Sequence, residues 1–282
     1  MTDFTLEDLA PTIGSYVAGV DLRAATDEDY DRFHRLLLER KVVLFGDQTL
    51  EPEDLYDFGV RIGIRLESHP VEGGKLENLP GYPNIQVLDN DGSKPIVGER
   101  WHMDDSDYTY PPTATILYTR ILPEVGGDTL WADMGAAFRG LSPAVRDFIR
   151  QLDAEHDNSA VGDLYLSSDK LQLEEFHPEM WAPSPAVVHP VATRHPQTGE
   201  ESIFVNGRFT RRICGLSQPE SDAVLRMLYD HIKHPEYHCR HRWRLGTVAI
   251  WDNLATQHFA VGGYRSQRQM LRMSLNQNRG DR

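Results

Sequence analysis

Trp101-His102-Met103-Asp104-Asp105-Ser106-Asp107 is the stretch from which the fold is read. In an extended segment side chains alternate, so His102 and Asp104 point one way and Met103 the other. An imidazole nitrogen and a carboxylate oxygen then close on one ion. A second imidazole from elsewhere would make two His and one carboxylate, the facial set that leaves positions open on a non-haem Fe(II). The couplet alone is not specific. With 12 His and 43 acidic residues in 282, chance gives roughly two His-x-Asp/Glu matches. The chain has three, but His177-Pro178-Glu179 and His234-Pro235-Glu236 hold Pro at the middle position and read as loop punctuation.

Working outward, a chain of 282 residues with 40% hydrophobic content buries a large core and suits one domain. The net charge of −14 and the lack of a Lys/Arg-rich run exclude nucleic acid and anionic membrane as main partners. Cys214 and Cys239 form no CxxC, which excludes a disulfide framework or a structural zinc site. No apolar run reaches the length of a membrane span and no leader opens the chain, so the expectation is a cytoplasmic protein, as a homo-oligomer.

Thr26-Asp27-Glu28-Asp29 caps a helix over 27–40, and Pro52 opens a second one through Leu55, Phe58 and Val60. Helices are also expected over 141–152 and 218–232. Extended runs are read at 12–22, 41–45, 84–88, 114–121, 129–132, 186–188, 202–205, 247–251 and 268–275. The Gly/Pro/Asn-rich segment 64–100, which leads into His102, reads as an active-site loop or lid. Many short strands with flanking helices predict a mainly β fold, a jelly roll of the cupin kind.

Near the end of the chain, the apolar strand Thr247–Trp251 stops at Asp252-Asn253, and His258 follows beyond a short polar stretch. It is placed to reach into a barrel mouth. The closing strand puts Leu271, Met273 and Leu275 on one face and Arg268, Met270, Arg272 and Ser274 on the other. If the second face is inward, its two guanidinium groups need two anions, because an unpaired buried charge is costly. Arg grips carboxylates and similar oxyanions with a fork of parallel hydrogen bonds. An edge strand with solvated arginines is the other reading.

These residues, in the order His102-x-Asp104, Gly126-Gly127-Asp128-Thr129, Phe204-Val205-Asn206, Ile250-Trp251-Asp252-Asn253, Gln257-His258 and Arg268/Arg272, carry a likeness. The chain resembles the taurine/2,4-D dioxygenase (TauD/TfdA) family of Fe(II)/2-oxoglutarate-dependent oxygenases over nearly its whole length. The resemblance implies a double-stranded β-helix core, iron on His102, Asp104 and His258, and 2-oxoglutarate on that iron with its distal carboxylate at Arg268 and Thr129. It implies O2 as co-substrate, succinate and CO2 as products, and hydroxylation of a small organic acid. Arg272 would hold the acid's sulfonate or carboxylate, assisted by His69, with Asp105, Asp107 and Phe204 also facing the substrate.

Where the substrate sits, the chain departs from the taurine enzymes. Asp105 and Asp107 replace apolar and aromatic residues, Glu72 replaces a Tyr, and Gly98 stands where an Asn serves the taurine amine. Carboxylates near a pocket want a cation or hydroxyl partner, which points to a polar or amine-bearing acid. Taurine itself stays open as a substrate. From the residues alone, a non-catalytic cupin-like binding protein for a small acid and a zinc hydrolase also remain open.

Overall fold

The structure, a computed structural model, describes residues 4–72, 77–92, 98–159 and 185–277. The chain enters through β1 (Thr5–Asp8), β2 (Ser15–Ala18), α1 (Asp27–Arg40), β3 (Val42–Phe45) and α2 (Pro52–Arg65). A capping box fixes the start of α1: Thr26 Oγ1 accepts the Asp29 N–H, and the Asp29 carboxylate accepts the Thr26 N–H. Lys41, left-handed at φ 62°, ends the helix and turns the chain straight into β3.

Four strands follow, β4 (Ser68–Pro70), β5 (Asn78–Leu79), β6 (Tyr82–Asn90) and β7 (Ala114–Ile121), and then β8 (Thr129–Asp133). Next come α3 (Met134–Gly140), α4 (Pro143–Ile149), β9 (Asp153–His156), β10 (Val187–Pro190), β11 (Ala192–Arg194), β12 (Glu201–Ile203) and β13 (Thr210–Ile213). The chain closes with α5 (Gln218–His231), β14 (His238–His241), β15 (Val248–Asp252), β16 (Thr256–Ala260) and β17 (Arg268–Gln277).

The large sheet runs β1-β2-β3-β15-β7-β17-β6-β5, with β4 paired to the end of β17, and a second sheet runs β14-β8-β16. On the outer face of the large sheet, Val43, Phe45, Ile116, Ile250, Leu271 and Met273 pack under Phe33 and Leu37 of α1 and Leu55, Phe58 and Ile62 of α2. Its inner face carries Val42, Leu44, Leu117, Ala249, Trp251 and Met270, which meet Trp131 and Cys239 of the second sheet. Two facing sheets closed in this way are a jelly roll, the double-stranded β-helix core that the sequence predicts.

Since β17 lies between β6 and β7, it is a central strand, and Arg268 and Arg272 point into the space between the sheets. The edge-strand reading is thereby excluded. Two expectations need correction. The helix expected over 141–152 is the shorter α4, which Pro143 opens, and a separate helix, α3, comes before it where none was expected; the chain extends at Leu141-Ser142 between the two. His258 does not follow a strand; it lies in the middle of β16, whose polar Thr256-Gln257-His258 hides the strand pattern. His234-Pro235-Glu236 is an exposed turn, as read, whereas His177-Pro178-Glu179 falls outside the described residues.

Candidate active site

His102 and His258 form an isolated antiparallel bridge: each N–H donates to the other's carbonyl, at 3.1 and 2.8 Å. Residues directly opposite in such a pair present their side chains on one face, and the two rings stand 4.1 Å apart between centroids. Met103 turns the other way into an apolar cluster with Phe204 and Val205. Asp104 returns to the imidazole side, with Oδ1 3.9 Å from His102 Nε2 and 3.8 Å from His258 Nε2. All three side chains are buried, and their ligand atoms lie within 4.8 Å of one another.

The protonation states suit a metal. Burial first, and then the neighbouring His258 charge, pushes His102 well below the usual imidazole range. Burial brings His258 down to about 4. Burial works to raise the Asp104 carboxyl, but Arg272, His258 and His102 outweigh it and hold it well below the usual carboxylate range. Two neutral imidazoles and one carboxylate are what a divalent ion needs from this donor set. His102 Nδ1 is 2.7 Å from the Arg100 carbonyl, so it carries the proton and Nε2 presents its lone pair to the site.

Several side chains aim these donors, and the sequence did not assign them that work. Thr115 Oγ1 donates to Asp104 Oδ2 at 2.8 Å, which leaves Oδ1 facing the imidazoles. Asn253 Oδ1 accepts the Asp104 N–H at 2.8 Å while its Nδ2 donates to the carbonyls of Asp104 and Pro112 at 2.9 and 3.0 Å. That explains the Asn after the apolar strand. Asp252 Oδ1 caps the Leu254 and Ala255 N–H groups, and its Oδ2 is paired with His195 at 2.9 Å. Asn206 Nδ2 donates to Ser106 Oγ at 2.9 Å, and His156 stands 3.2 Å from both the Ser106 and the Thr210 hydroxyls.

Arg268 lies beside the Gly126-Gly127 turn. A Cβ at Gly127, which has φ +75°, would come within 3.0 Å of the Arg268 side chain, so glycine makes the room. Arg268 Nε is buried with no hydrogen-bond partner. Thr129 Oγ1 accepts from Trp243 Nε1 at 3.0 Å, and its own O–H remains to donate. This is a place for an anion.

Arg272 is engaged differently. Its Nη2 is 3.2 Å from Asp104 Oδ2 and 3.4 Å from Asp105 Oδ2, and Nη1 donates to Gln86 Oε1 at 2.6 Å. Asp105 reaches it from a left-handed backbone, φ 50°. Asp107 is buried two residues on. Phe204 is buried against the His189 ring, with centroids 5.2 Å apart. His69 is exposed in β4, opposite Asn276 and hence on the face of Arg272, about 13 Å along the strand. A Cβ on Gly98 would lie 2.9 Å from Ala260 Cβ, so a larger residue there would press on the strand that bears His258.

A jelly roll with two imidazoles and one carboxylate converging between its sheets is the architecture of the mononuclear non-haem Fe(II) oxygenases. The comparisons narrow the class. Residues 5–274 match the family model described as taurine catabolism dioxygenase TauD, TfdA family, and the chain belongs to that family. An alkylsulfatase of Acinetobacter baylyi is 33% identical over 95% of this chain and 83% of its own length. An alpha-ketoglutarate-dependent sulfate ester dioxygenase of Pseudomonas putida is 32% identical over 96% of this chain and 88% of its own. The crystal structure of a taurine dioxygenase from Burkholderia xenovorans superposes with a TM-score of 0.80 at 28% identity, covering 97% of this chain and 89% of that one. The protein is therefore an Fe(II)- and 2-oxoglutarate-dependent dioxygenase that uses O2.

Proposed function

We propose that the enzyme hydroxylates a small organic acid, a sulfate ester or sulfonate ahead of a carboxylate, and that the mouth of the jelly roll performs the reaction. His102, Asp104 and His258 hold the iron. The observation that carries this is their convergence as buried donors on one face, with Asp104 Oδ2 tied back by Thr115. With the metal bound, O2 would be split, one atom going into succinate as 2-oxoglutarate loses CO2 and the other entering a substrate C–H bond as hydroxyl.

The residues do the rest. Arg268, with its unpartnered Nε, and the Thr129 hydroxyl grip the distal carboxylate of 2-oxoglutarate. Arg272 holds the substrate's anionic group beside the metal site, so that a neighbouring C–H faces the metal, and His69 lies on the same sheet face. Asp105 and Asp107 shape the adjoining wall, and Phe204, expected to face the substrate, backs it from the apolar cluster that takes Met103. Because Asp105 is within reach of Arg272, its charge needs no substrate amine, and a simple acid suffices. The names of the relatives support a sulfate ester or sulfonate. A sulfate ester hydroxylated on the carbon bearing the ester oxygen, or a sulfonate hydroxylated on the carbon bearing sulfur, collapses to a carbonyl compound with release of sulfate or sulfite.

Residues 1–282 act as one dioxygenase domain in this reading; the 64–100 segment, expected as a loop or lid, instead contributes β4, β5 and β6 to the large sheet. We read the protein as a cytoplasmic homo-oligomer, and its net charge of −14 supports small molecules, not nucleic acid or membrane, as what it acts on. No helix among the described residues is long and apolar enough to cross a membrane. The test is succinate release across alkyl sulfates, sulfonates, aryloxyacids and amino acids. Stimulation by an alkyl sulfate or sulfonate is expected, and stimulation only by compounds without an anionic group would overturn the role given to Arg272.

A further inference from the structure

The turn between β12 and β13 brings a third guanidinium to the site. Asn206 ties this turn to the metal-binding segment through its hydrogen bond to Ser106, and its Oδ1 accepts the N–H groups of Arg208 and Phe209 at 3.1 and 3.0 Å. A Cβ on Gly207 would lie 3.9 Å from the Trp101 carbonyl, so the turn rests directly against the residues that lead into His102. Arg208 is thus held beside Asp104, Asp105 and Asp107, all three of which act on its charge.

Its guanidinium lies over the Phe209 ring, 4.9 Å from the centroid. Nε is shielded from solvent without a hydrogen-bond partner. Among the described residues the Arg208 side chain forms no hydrogen bond or ion pair. Burial accordingly pushes this guanidinium below its ordinary range, against the opposing pull of Asp104 and Asp105. The contrast with Arg272, which two carboxylates and Gln86 already engage, is direct. A half-buried guanidinium whose Nε is shut off from water without a partner is costly unless a ligand supplies an anion to its remaining donors.

We propose that Arg208 is a substrate-binding residue that sets specificity, closing on the substrate's oxyanion together with Arg272. The inference rests on the anionic-substrate reading above and sharpens it. A carboxylate has two coplanar oxygens, which a single guanidinium fork satisfies. A sulfate ester or sulfonate has three terminal oxygens splayed around sulfur, and two guanidinium groups can share them. A pair of arginines therefore selects the tetrahedral oxyanion over the planar one.

The experiment is calorimetric binding of hexyl sulfate, hexanesulfonate and heptanoate to the anaerobic Fe(II)·2-oxoglutarate enzyme, for wild type, R208M, R208K and R272M, with thermal melting of each. In wild type the two sulfur acids should bind more tightly than heptanoate. R208M should weaken the sulfur acids about tenfold or more, heptanoate much less, and leave 2-oxoglutarate affinity unchanged. R208K should recover part of the loss. Melting of ligand-free R208M should be unchanged or raised, because the substitution removes a half-buried guanidinium with an unpartnered Nε; a merely structural arginine would lower it. Sulfur acids that bind R208M as tightly as wild type, while R272M loses them, overturn this inference and leave the anionic-substrate reading standing. Failure of all three acids to bind wild type overturns both.

Discussion

At the scale of single residues the site depends on which oxygen of Asp104 is free. Thr115 and Arg272 occupy Oδ2, so Oδ1 is the oxygen turned to the imidazoles. Outer groups that orient a ligand carboxylate typically contribute 10- to 100-fold to metal affinity. Thr115→Val, which keeps the shape and removes the donor, should weaken Fe(II) or Mn(II) binding about tenfold without unfolding the protein. Metal titration followed by tryptophan fluorescence reads this directly, and an unchanged affinity would show that Arg272 alone holds the carboxylate. His102 and Asp104 were legible only in company: the couplet alone is not specific, and the later Gln257-His258 and Arg268/Arg272 in the same order single it out from the two proline-centred matches. Thr115 was not, since in Ala114–Ile121 it reads as one more β-branched strand residue. Arg208 was hidden for another reason: one arginine in a glycine turn carries no periodicity, and only the fold reveals what it faces.

At the scale of elements, strands with apolar alternation could be read and polar ones could not. β7, β15 and β17 stand where the sequence puts them. β9, β13, β14 and β16 carry His, Arg, Gln and Glu, because each borders the site or a polar network and not the apolar core alone. β9 shows the consequence. His156 is fully buried between Ser106 and Thr210, and burial, reinforced by His189 and Arg211, lowers it from 6.5 to about 3. The unfolded chain binds a proton there below pH 6.5 that the folded chain refuses until about pH 3. The stability from this group is therefore complete above pH 6.5 and lost on acidification, by up to about 1.4 kcal/mol per pH unit. Urea unfolding between pH 7 and pH 5 should show a smaller loss for His156→Asn than for wild type. Equal losses would mean that His156 protonates in the folded state as readily as in the unfolded one.

For the whole molecule, function follows from how two sheets close. The outer face of the large sheet is sealed by α1 and α2, so the polar residues of β17 have nowhere to go but the interior. The second sheet delivers His258 to the same interior, and the bridge to His102 locks the two halves of the chain at the donors themselves. Length and a net charge of −14 without basic runs bounded the class, and the run of short strands made it mainly β. None of these could give the convergence of residues 102, 104 and 258, which depends on a pairing more than 150 residues apart in sequence.

The central claim is that these three side chains hold an iron to which 2-oxoglutarate binds. Anaerobic addition of Fe(II) and then 2-oxoglutarate to the purified protein, followed in the visible region, tests it most directly. A weak metal-to-ligand charge-transfer band should appear in the wild type and vanish in the His102→Ala/Asp104→Ala double variant. No band in the intact protein, or a band that survives both substitutions, would contradict the account.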